Sequence, residues 1–434
     1  ARKPHNSFEQ MATSTPMKIA VHQISGKVTV LEVMPETTVR ELKMRLRAWQ
    51  NCDDLTRRMS EVELVLGERK LEKNDATMDE AGLSADDAVQ VLYSIKPVTC
   101  SSFSSSGSSV DSLLVVNIPD TVQRIENEAF ASCFFLAKVT IPNSVTCIGT
   151  SAFCGCRSLS SVSIPNSVQL IGGWAFYGCS SLLHVTLPVS LTRILARAFA
   201  GCSALMSIHI PNSVTFIGAG AFAGCKSLIH LELPNSVTRI DRDAFTGCNS
   251  LATMKLPNSV RSIASATFKD CKSLVTVNIP TEVTMIDIGA FKGCPLLRSV
   301  TLPVSLETIA MEAFESCTSL SSMMIPNSVT SIGQRAFKGC TSMQSVRIPS
   351  SVTSIGGWAF QDCTRLLRLQ IPNSVTLIGT EAFKDCESLR DVTLPKTSLE
   401  ASSSILGIDA LKGCPALERV EENSSEEPWS AFPR

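Results

Sequence analysis

The chain has 434 residues, of which 44% are hydrophobic and 18% are charged, a composition typical of a folded globular protein. Its formal net charge of -1 provides no overall basic field, so nucleic acid and anionic membranes are poor candidates for the partner. The longest apolar runs, such as 113–116 and 134–137, are far shorter than the roughly 18 residues of a transmembrane helix, so no membrane span is predicted.

Residues 1–16 are polar and contain no apolar signal region, and we interpret them as a leader. The chain starts with Ala1 instead of methionine, so an upstream part that is missing or has been removed is compatible with the sequence. This segment therefore leaves import into an organelle open.

Residues 17–95 lack the period that dominates the rest of the chain and are predicted to form a separate domain. Alternating apolar residues on both sides of 25–26 predict a β-hairpin. A capping box formed by Thr38 and Glu41 predicts the start of a helix. The predicted order is strand, strand, helix, strand, strand, with the elements at 19–21, 28–33, 38–49, 63–66 and 88–92.

This segment is similar to ubiquitin-like domains along nearly its whole length, and the resemblance is carried by 17–19, 26–27, 31–33, 70–72 and 89–92. It implies a β-grasp fold with an apolar recognition patch, which maps to Ile24, Val65, Gln90 and Leu92. The implied partners are a ubiquitin receptor, the proteasome or a ligase, and the implied setting is intracellular and eukaryotic. The C-terminal Gly-Gly of ubiquitin is absent, so we expect a fixed module and not a conjugated tag.

Residues 96–110 are predicted to be a linker, because a serine-rich stretch with one glycine behaves as a flexible tether. The chain then repeats every 23 residues, which is the signature of a solenoid. Thirteen prolines keep this interval, at 119, 142, 165, 188, 211, 234, 257, 280, 303, 326, 349, 372 and 395. Twelve cysteines from Cys133 to Cys386 and twelve phenylalanines from Phe130 to Phe383 keep it with them.

Each unit is predicted to contain a short strand, a turn, a short helix and a second turn. Val139 and Ile141 alternate with polar residues, as in a strand with one buried face. Pro142 ends the strand because it has no N–H and fixes φ. The Asn-Ser pair at 143–144 provides a turn through local side-chain bonds to the backbone. The segment 149–156 predicts a short helix that turns its Ala, Phe and Cys side chains toward the core.

The residue before each repeat cysteine is Gly seven times, Asp three times and Ser twice, a mixture that indicates left-handed backbone. No single unit can bury its own apolar residues, so neighbouring units must stack and equal positions must form columns. The predicted fold class is therefore an α/β solenoid of short parallel strands plus short helices, preceded by the β-grasp domain. The last unit has an insertion near 402–404 and Leu411 in place of Phe, and is predicted to be a cap.

The unit consensus LxxVxIPNSVTxIGxxAFxGCxSL resembles the BspA-like leucine-rich repeat over residues 111–420, as 13 repeats plus a C-terminal cap. The resemblance implies a curved solenoid that binds proteins and brings no catalytic residues. The acidic segment 421–434 is interpreted as a solvated tail.

The cysteine column is interpreted as core packing. One cysteine per 23 residues never gives the C-x-x-C spacing of a zinc site, and side chains that point the same way on a ladder lack disulfide geometry. Unpaired thiols then indicate a reducing compartment, with the cytoplasm or nucleus as the expected location.

Three histidines in consecutive repeats, His184, His209 and His230, are expected side by side, with His209 between the other two. Because Glu232 is the only carboxylate near them in sequence, a polar binding patch is favoured and no metal site is predicted. The sequence contains no catalytic serine motif, phosphate loop or dinucleotide motif, so neither a cofactor nor a catalytic residue is predicted.

The residue two positions before each proline is expected to be exposed on the strand. This column carries large, varied side chains in two stretches, which gives the candidate partner-binding residues His209, Glu232, Lys255, Met324, Arg347 and Gln370. On the opposite side, Trp174 and Trp358 occupy equal positions and are candidate anchors or covers for their neighbours. The lysines of another column are interpreted as a solvated face: Lys269, Lys292, Lys338, Lys384 and Lys412.

These features predict a non-enzymatic scaffold or adaptor, with a protein partner on the solenoid and ubiquitin-pathway receptors on the head. The alternatives are a structural subunit of a larger assembly and a cell-surface adhesin of the BspA type, which would have oxidised thiols. An enzyme such as a ubiquitin ligase would have to use Cys52 or Cys100, and neither has a histidine nearby in sequence.

Overall fold

The structure, a computed structural model, describes residues 114–118, 120–396, 398–399 and 404–423, and five strands before them. These five are β1 Met17–His22, β2 Val28–Val33, β3 Val62–Leu66, β4 Arg69–Lys70 and β5 Gln90–Tyr93. β1 and β2 pair antiparallel, and β3 pairs antiparallel with β4 and β5, which confirms the predicted hairpin and the two later strands. The predicted helix at 38–49 and the predicted linker lie outside the described residues.

Most repeats contribute a first strand directly before the proline, as predicted. These strands are β6 Leu114–Asn117, β8 Leu136–Thr140, β10 Ser161–Ser163, β12 His184–Thr186, β16 Thr253–Lys255, β18 Thr276–Asn278, β20 Ser299–Val300, β22 Ser322–Met324, β24 Ser345–Arg347, β26 Arg368–Gln370 and β28 Asp391–Leu394. A further strand, β29 Arg419–Glu422, pairs with β28 and extends the row of first strands, and no repeat proline follows it.

Twelve of the thirteen repeats also contain a second, two-residue strand after the proline, which the sequence did not predict, and the last repeat has a single bridge from Leu406 to Ile378 in its place. These strands are β7 Arg124–Ile125, β9 Cys147–Ile148, β11 Leu170–Ile171, β13 Arg193–Ile194, β14 Phe216–Ile217, β15 Arg239–Ile240, β17 Ser262–Ile263, β19 Met285–Ile286, β21 Thr308–Ile309, β23 Ser331–Ile332, β25 Ser354–Ile355 and β27 Leu377–Ile378. The repeated isoleucine is buried in all twelve.

Neighbouring units pair in parallel with a shift of 23 residues, so that Ile309 lies opposite Ile332. The second strands from β17 to β27 form one six-stranded sheet. The first strands form four separate sheets, with interruptions between β12 and β16, between β20 and β22, and between β24 and β26. Within the first interruption a single bridge joins Ser207 to His230. The structure is therefore a parallel β-solenoid, and the predicted stacking in register is confirmed.

The described residues contain no helix, so the prediction of a short helix in each unit is wrong. Successive N–H groups in this segment alternate between two kinds of acceptor. Ala152 donates to Gly149, three residues back in its own unit, whereas Phe153 donates to Ala175 in the next unit. A helix would direct every N–H along its own axis and would lose the bonds between units. None of the described segments can cross a membrane as a helix.

Two residues of each unit have a left-handed backbone with positive φ. The first precedes the repeat cysteine, as predicted, with φ of 74° at Gly155 and 57° at Asp270. The second precedes the buried alanine and is a residue other than glycine in 11 of 13 units, including Arg197 with φ of 53°. A left-handed residue interrupts helical propagation, so this second position also explains why no helix forms.

Columns of identical side chains fill the core. The twelve phenylalanine rings from Phe130 to Phe383 stack with nearly parallel planes, and the centroids of neighbouring rings lie 5.1–5.9 Å apart. All except Phe130 are completely buried. Burying one such side chain contributes about 1.5–3 kcal/mol, so this column is a main source of stability.

The turn serines bond to the neighbouring unit. The Ser144 hydroxyl donates to the carbonyl of Val122, 22 residues earlier, at 2.7 Å, and Ser351 bonds Val329 in the same way. The local turn is closed by the backbone, where Val145 N–H donates to Pro142. The predicted local side-chain bonds are therefore wrong, because the stacked carbonyl of the previous unit is the acceptor within reach.

The described residues cover the C-terminal end of the solenoid only in part. In other units the N–H groups at the positions of Leu411 and Gly413 donate to the following unit. Here neither group has an acceptor among the described residues, and the side chains of Leu411 and Cys414 are half-buried. The predicted cap therefore stays a prediction.

Candidate protein-binding face

The exposed side of the first strands, here called the strand face, consists of the residues five, four and two positions before each repeat proline. In β16, Thr253 and Lys255 are exposed and Met254 between them is buried. Side chains alternate along a strand, and equal positions of paired strands lie about 4.8 Å apart. The strand face is therefore an array of side-chain columns that follows the stacked units.

The structure places all six predicted strand residues on this face. His209, Glu232, Lys255, Met324 and Arg347 are exposed, and Gln370 is half-buried. Met324 is 72% exposed and lies opposite Arg347 in the pairing of β22 with β24. Smaller exposed residues, Asn278 and Thr301, separate the two predicted stretches.

The three histidines do not form the expected row. His230 bridges to Ser207, and His184 precedes Ser207 by one unit. His184, Ser207 and His230 therefore share the column four positions before the proline. His209 lies two residues further along and belongs to the column of Glu232. Nowhere in the described part of the chain do three His, Cys, Asp or Glu side chains gather in a way that could hold a metal ion.

Sequence reasoning missed an apolar row on the strand face beside these histidines. Leu183, Met206 and Ile229 lie five positions before the proline in three consecutive repeats, and their side chains are 39%, 44% and 43% exposed. Exposed apolar side chains in adjacent positions mark an interaction site more often than scattered ones do. Their recurrence at 23-residue intervals was a signal that the sequence offered.

The two tryptophans lie on the opposite side, which we call the turn face and which consists of residues eight, nine and twelve positions after each proline. Both are half-buried. Arg197 lies 4.5 Å from the ring centroid of Trp174. Arg335 lies 5.2 Å from that of Trp358, whose Nε1 donates to Glu381 at 3.1 Å. Both rings therefore cover their neighbours.

The lysines of the turn face are not simply solvated. Lys292 donates to Glu312 at 2.8 Å and lies 2.9 Å from Glu315, and all three side chains are at most 30% exposed. Lys384 pairs with Glu381 at 2.9 Å. The hydrogen bond from Lys292 lowers the pKa of Glu312 against the opposing effect of partial burial. The interpretation of this column as a solvated face is therefore wrong at these positions.

The cysteine column packs in the core, as predicted. The Cys179 thiol is buried and donates to the carbonyl of Phe153 at 3.2 Å, and the same bond recurs along the column. Burial raises the pKa of Cys179, Cys225 and Cys294 to about 12. Because the thiolate is the reactive form, these groups are unsuited to nucleophilic chemistry or metal binding.

Of the four predicted patch residues of the head, three lie in described strands. Val65 in β3 lies opposite Gln90 in β5, and Leu92 follows two residues later along β5. Ile24 lies outside the described residues. The pairing therefore brings Val65, Gln90 and Leu92 to one part of a sheet.

The repeat region matches the BspA type leucine-rich repeat region, a family description of six copies, at residues 101–229, 192–321 and 307–426. The chain belongs to the BspA type leucine-rich repeat family. Among curated proteins, none matches the chain.

Two solved structures of this kind of repeat illustrate the similarity. A leucine-rich repeat protein from Bacteroides ovatus is 31% identical, with a TM-score of 0.57, over 71% of this chain and 86% of that one. A leucine rich cell surface protein from Faecalibacterium prausnitzii is 30% identical, with a TM-score of 0.49, over 72% of this chain and 88% of that one.

Proposed function

We propose that this BspA type repeat protein is a non-enzymatic scaffold that holds a protein partner along its strand face. The observation that carries the proposal is the contrast between columns. The buried columns repeat one residue type, whereas the strand face carries exposed side chains that differ in size and charge from unit to unit. Side chains that packing does not fix are free to match a partner.

A pair of charge-changing variants in the full chain tests this proposal. We expect Met324→Asp with Arg347→Glu to reduce the amount of protein that co-purifies with the chain from its native cells by at least tenfold. The control is Val304→Asp with Glu307→Lys, which alters exposed positions off the strand face in a nearby unit. An equal loss with the control variant, or no loss with the first, would contradict the proposal.

We further propose that the head is ubiquitin-like and docks to a ubiquitin receptor, the proteasome or a ligase, so that the whole chain acts as an adaptor. The antiparallel pairing that brings Val65 opposite Gln90 supports this reading. The expected location is a reducing intracellular compartment, which fits the buried column of thiols.

The head is tested by Val65→Asp in the full chain. We expect the variant to lose binding to a purified ubiquitin-receptor domain and to keep the solenoid partner, because a buried charge at an apolar contact is costly. If neither the unchanged protein nor the variant binds such receptors, the adaptor reading is wrong while the scaffold reading stands.

A surface adhesin is the second candidate, supported by membership of the BspA type family. An adhesin would bind its partner on the same strand face as the adaptor, and it would differ from the adaptor in its compartment. Mass spectrometry of thiols alkylated at the moment of lysis separates the two, because an adhesin from an oxidising environment would show oxidised Cys154 or Cys414, the two half-buried cysteines of the described region.

A further inference from the structure

The charges of the solenoid are unevenly distributed around its cross-section. The strand face with the equivalent residues 418, 419 and 421 of β29, together with the corner that leads to it fifteen and sixteen positions after each proline, carries eleven cationic and five acidic side chains, all exposed except Asp391, which is half-buried. The cations are Lys138, Arg157, Lys226, Lys255, Lys272, Arg298, Arg347, Arg365, Arg368, Arg390 and Arg419, and the acids are Glu232, Glu387, Asp391, Glu418 and Glu421. This side therefore has an excess of six positive charges in a chain whose net charge is -1.

Little on this side neutralises the excess. Among described residues, the strand face has two ion pairs, Arg368 with Asp391 at 3.1 Å and, on β29, Arg419 with Glu421 at 3.6 Å. The acidic residues Glu312, Glu315 and Glu381 instead lie on the turn face, where they pair with lysines of that face. Field lines from like charges on one face add, so the strand face attracts anionic partners over about a Debye length, which is about 8 Å at physiological salt.

The apolar row lies within this basic face. Leu183, Met206 and Ile229 are exposed, Lys226 precedes Ile229 by three residues, and Lys255 lies on the strand of the next unit. An apolar row has nothing to offer a phosphate backbone, whereas it can bury the side chains of a polypeptide. The strand-face columns of the described units contain no Phe, Tyr or Trp, and the two exposed phenylalanines of the corner, Phe134 and Phe135, lie two units away from the apolar row, so that row offers no ring of this kind on which a base could stack.

We propose that the strand face binds an extended acidic protein segment whose apolar side chains rest against Leu183, Met206 and Ile229. This inference rests on the proposed scaffold function and names the chemistry of its partner. The cations steer and orient the segment, and the apolar row supplies the desolvated contact that holds it.

The test uses the full chain and fluorescein-labelled 16-residue peptides in anisotropy titrations. The first peptide repeats Glu-Leu-Glu-Ser, the second has lysine for every glutamate, and the third has serine for every leucine. We expect the first to bind, the second not to bind, and the third to bind at least fivefold more weakly. Raising the salt concentration from 50 to 300 mM should weaken binding of the first peptide by at least tenfold, because the attraction between charges is screened.

Matched variants locate the binding. The double variant Lys255→Glu with Arg298→Glu should weaken binding of the first peptide by at least tenfold. The double variant Met206→Ser with Ile229→Ser should weaken it by at least fivefold. The control is Arg242→Glu, because Arg242 is exposed eight positions after its proline and therefore on the turn face. Circular dichroism melting of each variant establishes that it is folded.

Three outcomes would overturn the proposal. They are equal binding of the lysine peptide, an equal effect of Arg242→Glu, and tighter binding of a 16-nucleotide single-stranded DNA than of the acidic peptide. If the peptide titrations fail while Met324→Asp with Arg347→Glu still releases the cellular partner, only the proposal that the partner segment is acidic is rejected. Failure of both experiments would reject the scaffold function as well.

Discussion

At the residue scale, stability depends on how closely one unit's backbone approaches the next. A Cβ at Gly218 would lie 2.7 Å from the backbone nitrogen of Ala196, whereas a Cβ at Gly289 would meet nothing closer than the Lys292 Cβ at 3.7 Å. Gly289 has a φ of 58°, so a side chain there is strained without being crowded. The two glycines are therefore present for different physical reasons.

Alanine substitutions separate these reasons. We expect Gly218→Ala to lower the free energy of unfolding by about 3 kcal/mol through overpacking, and Gly289→Ala by about 1 kcal/mol through backbone strain. Urea denaturation of both variants measures the difference. A smaller loss for Gly218→Ala than for Gly289→Ala would contradict the close approach of the units.

Thiol reactivity follows burial. At pH 8 in native buffer, iodoacetamide should leave Cys225 and Cys294 unmodified, because burial raises their pKa to about 12 and blocks access. Half-buried Cys154 should react first among the described cysteines, and all should react in denaturant. Peptide mass spectrometry measures the extent of alkylation at each cysteine. Modification of Cys225 as fast as Cys154 would show that the cysteine column is accessible to solvent, which would contradict its burial.

At the element scale, sequence patterns identified the first strands, the register and the left-handed residue before each cysteine. They could not identify the second strand, because a two-residue strand such as Ser354–Ile355 is too short to show alternation. The prediction of a short helix in each unit rested on the spacing of apolar residues and is wrong. Left-handed residues as different as Trp174, Arg197 and Glu312 carry no common signal, so the turn ladder is visible only once the units are stacked.

The pairs on the turn face predict a pH dependence. The pKa of Glu312 is lowered in the folded state, so its stabilisation is present above the unfolded value of about 4.3 and is lost as the pH falls through the lower folded pKa. Glu312→Gln should therefore be less stable than the unchanged protein at pH 7, by on the order of 1 kcal/mol. This difference should shrink below about pH 4.

Thermal unfolding between pH 3 and pH 7 measures this dependence. Glu307→Gln is the control, because Glu307 is exposed and has no ion pair with any described residue. A difference between Glu312→Gln and the unchanged protein that persists undiminished at pH 3 would show that the carboxylate charge is not the cause.

At the scale of the whole molecule, net charge does not describe how the charges are distributed. A value of -1 for the chain conceals a strand face and corner with six excess positive charges, because most of the acids lie on the other faces. The sequence contained this information once the period was known, since each face corresponds to fixed positions in a 23-residue unit. The same indexing would have revealed the apolar row at Leu183, Met206 and Ile229.

The most direct test of the strand face as the binding surface is photocrosslinking from single positions within one unit. A benzophenone amino acid would replace Thr301 on the strand face, Val304 directly after Pro303 or Ser316 directly before Cys317, all exposed, in the full chain expressed in its native cells. We predict protein adducts from Thr301 and none from Val304 or Ser316. Adducts from Ser316 in the absence of any from Thr301 would contradict the account.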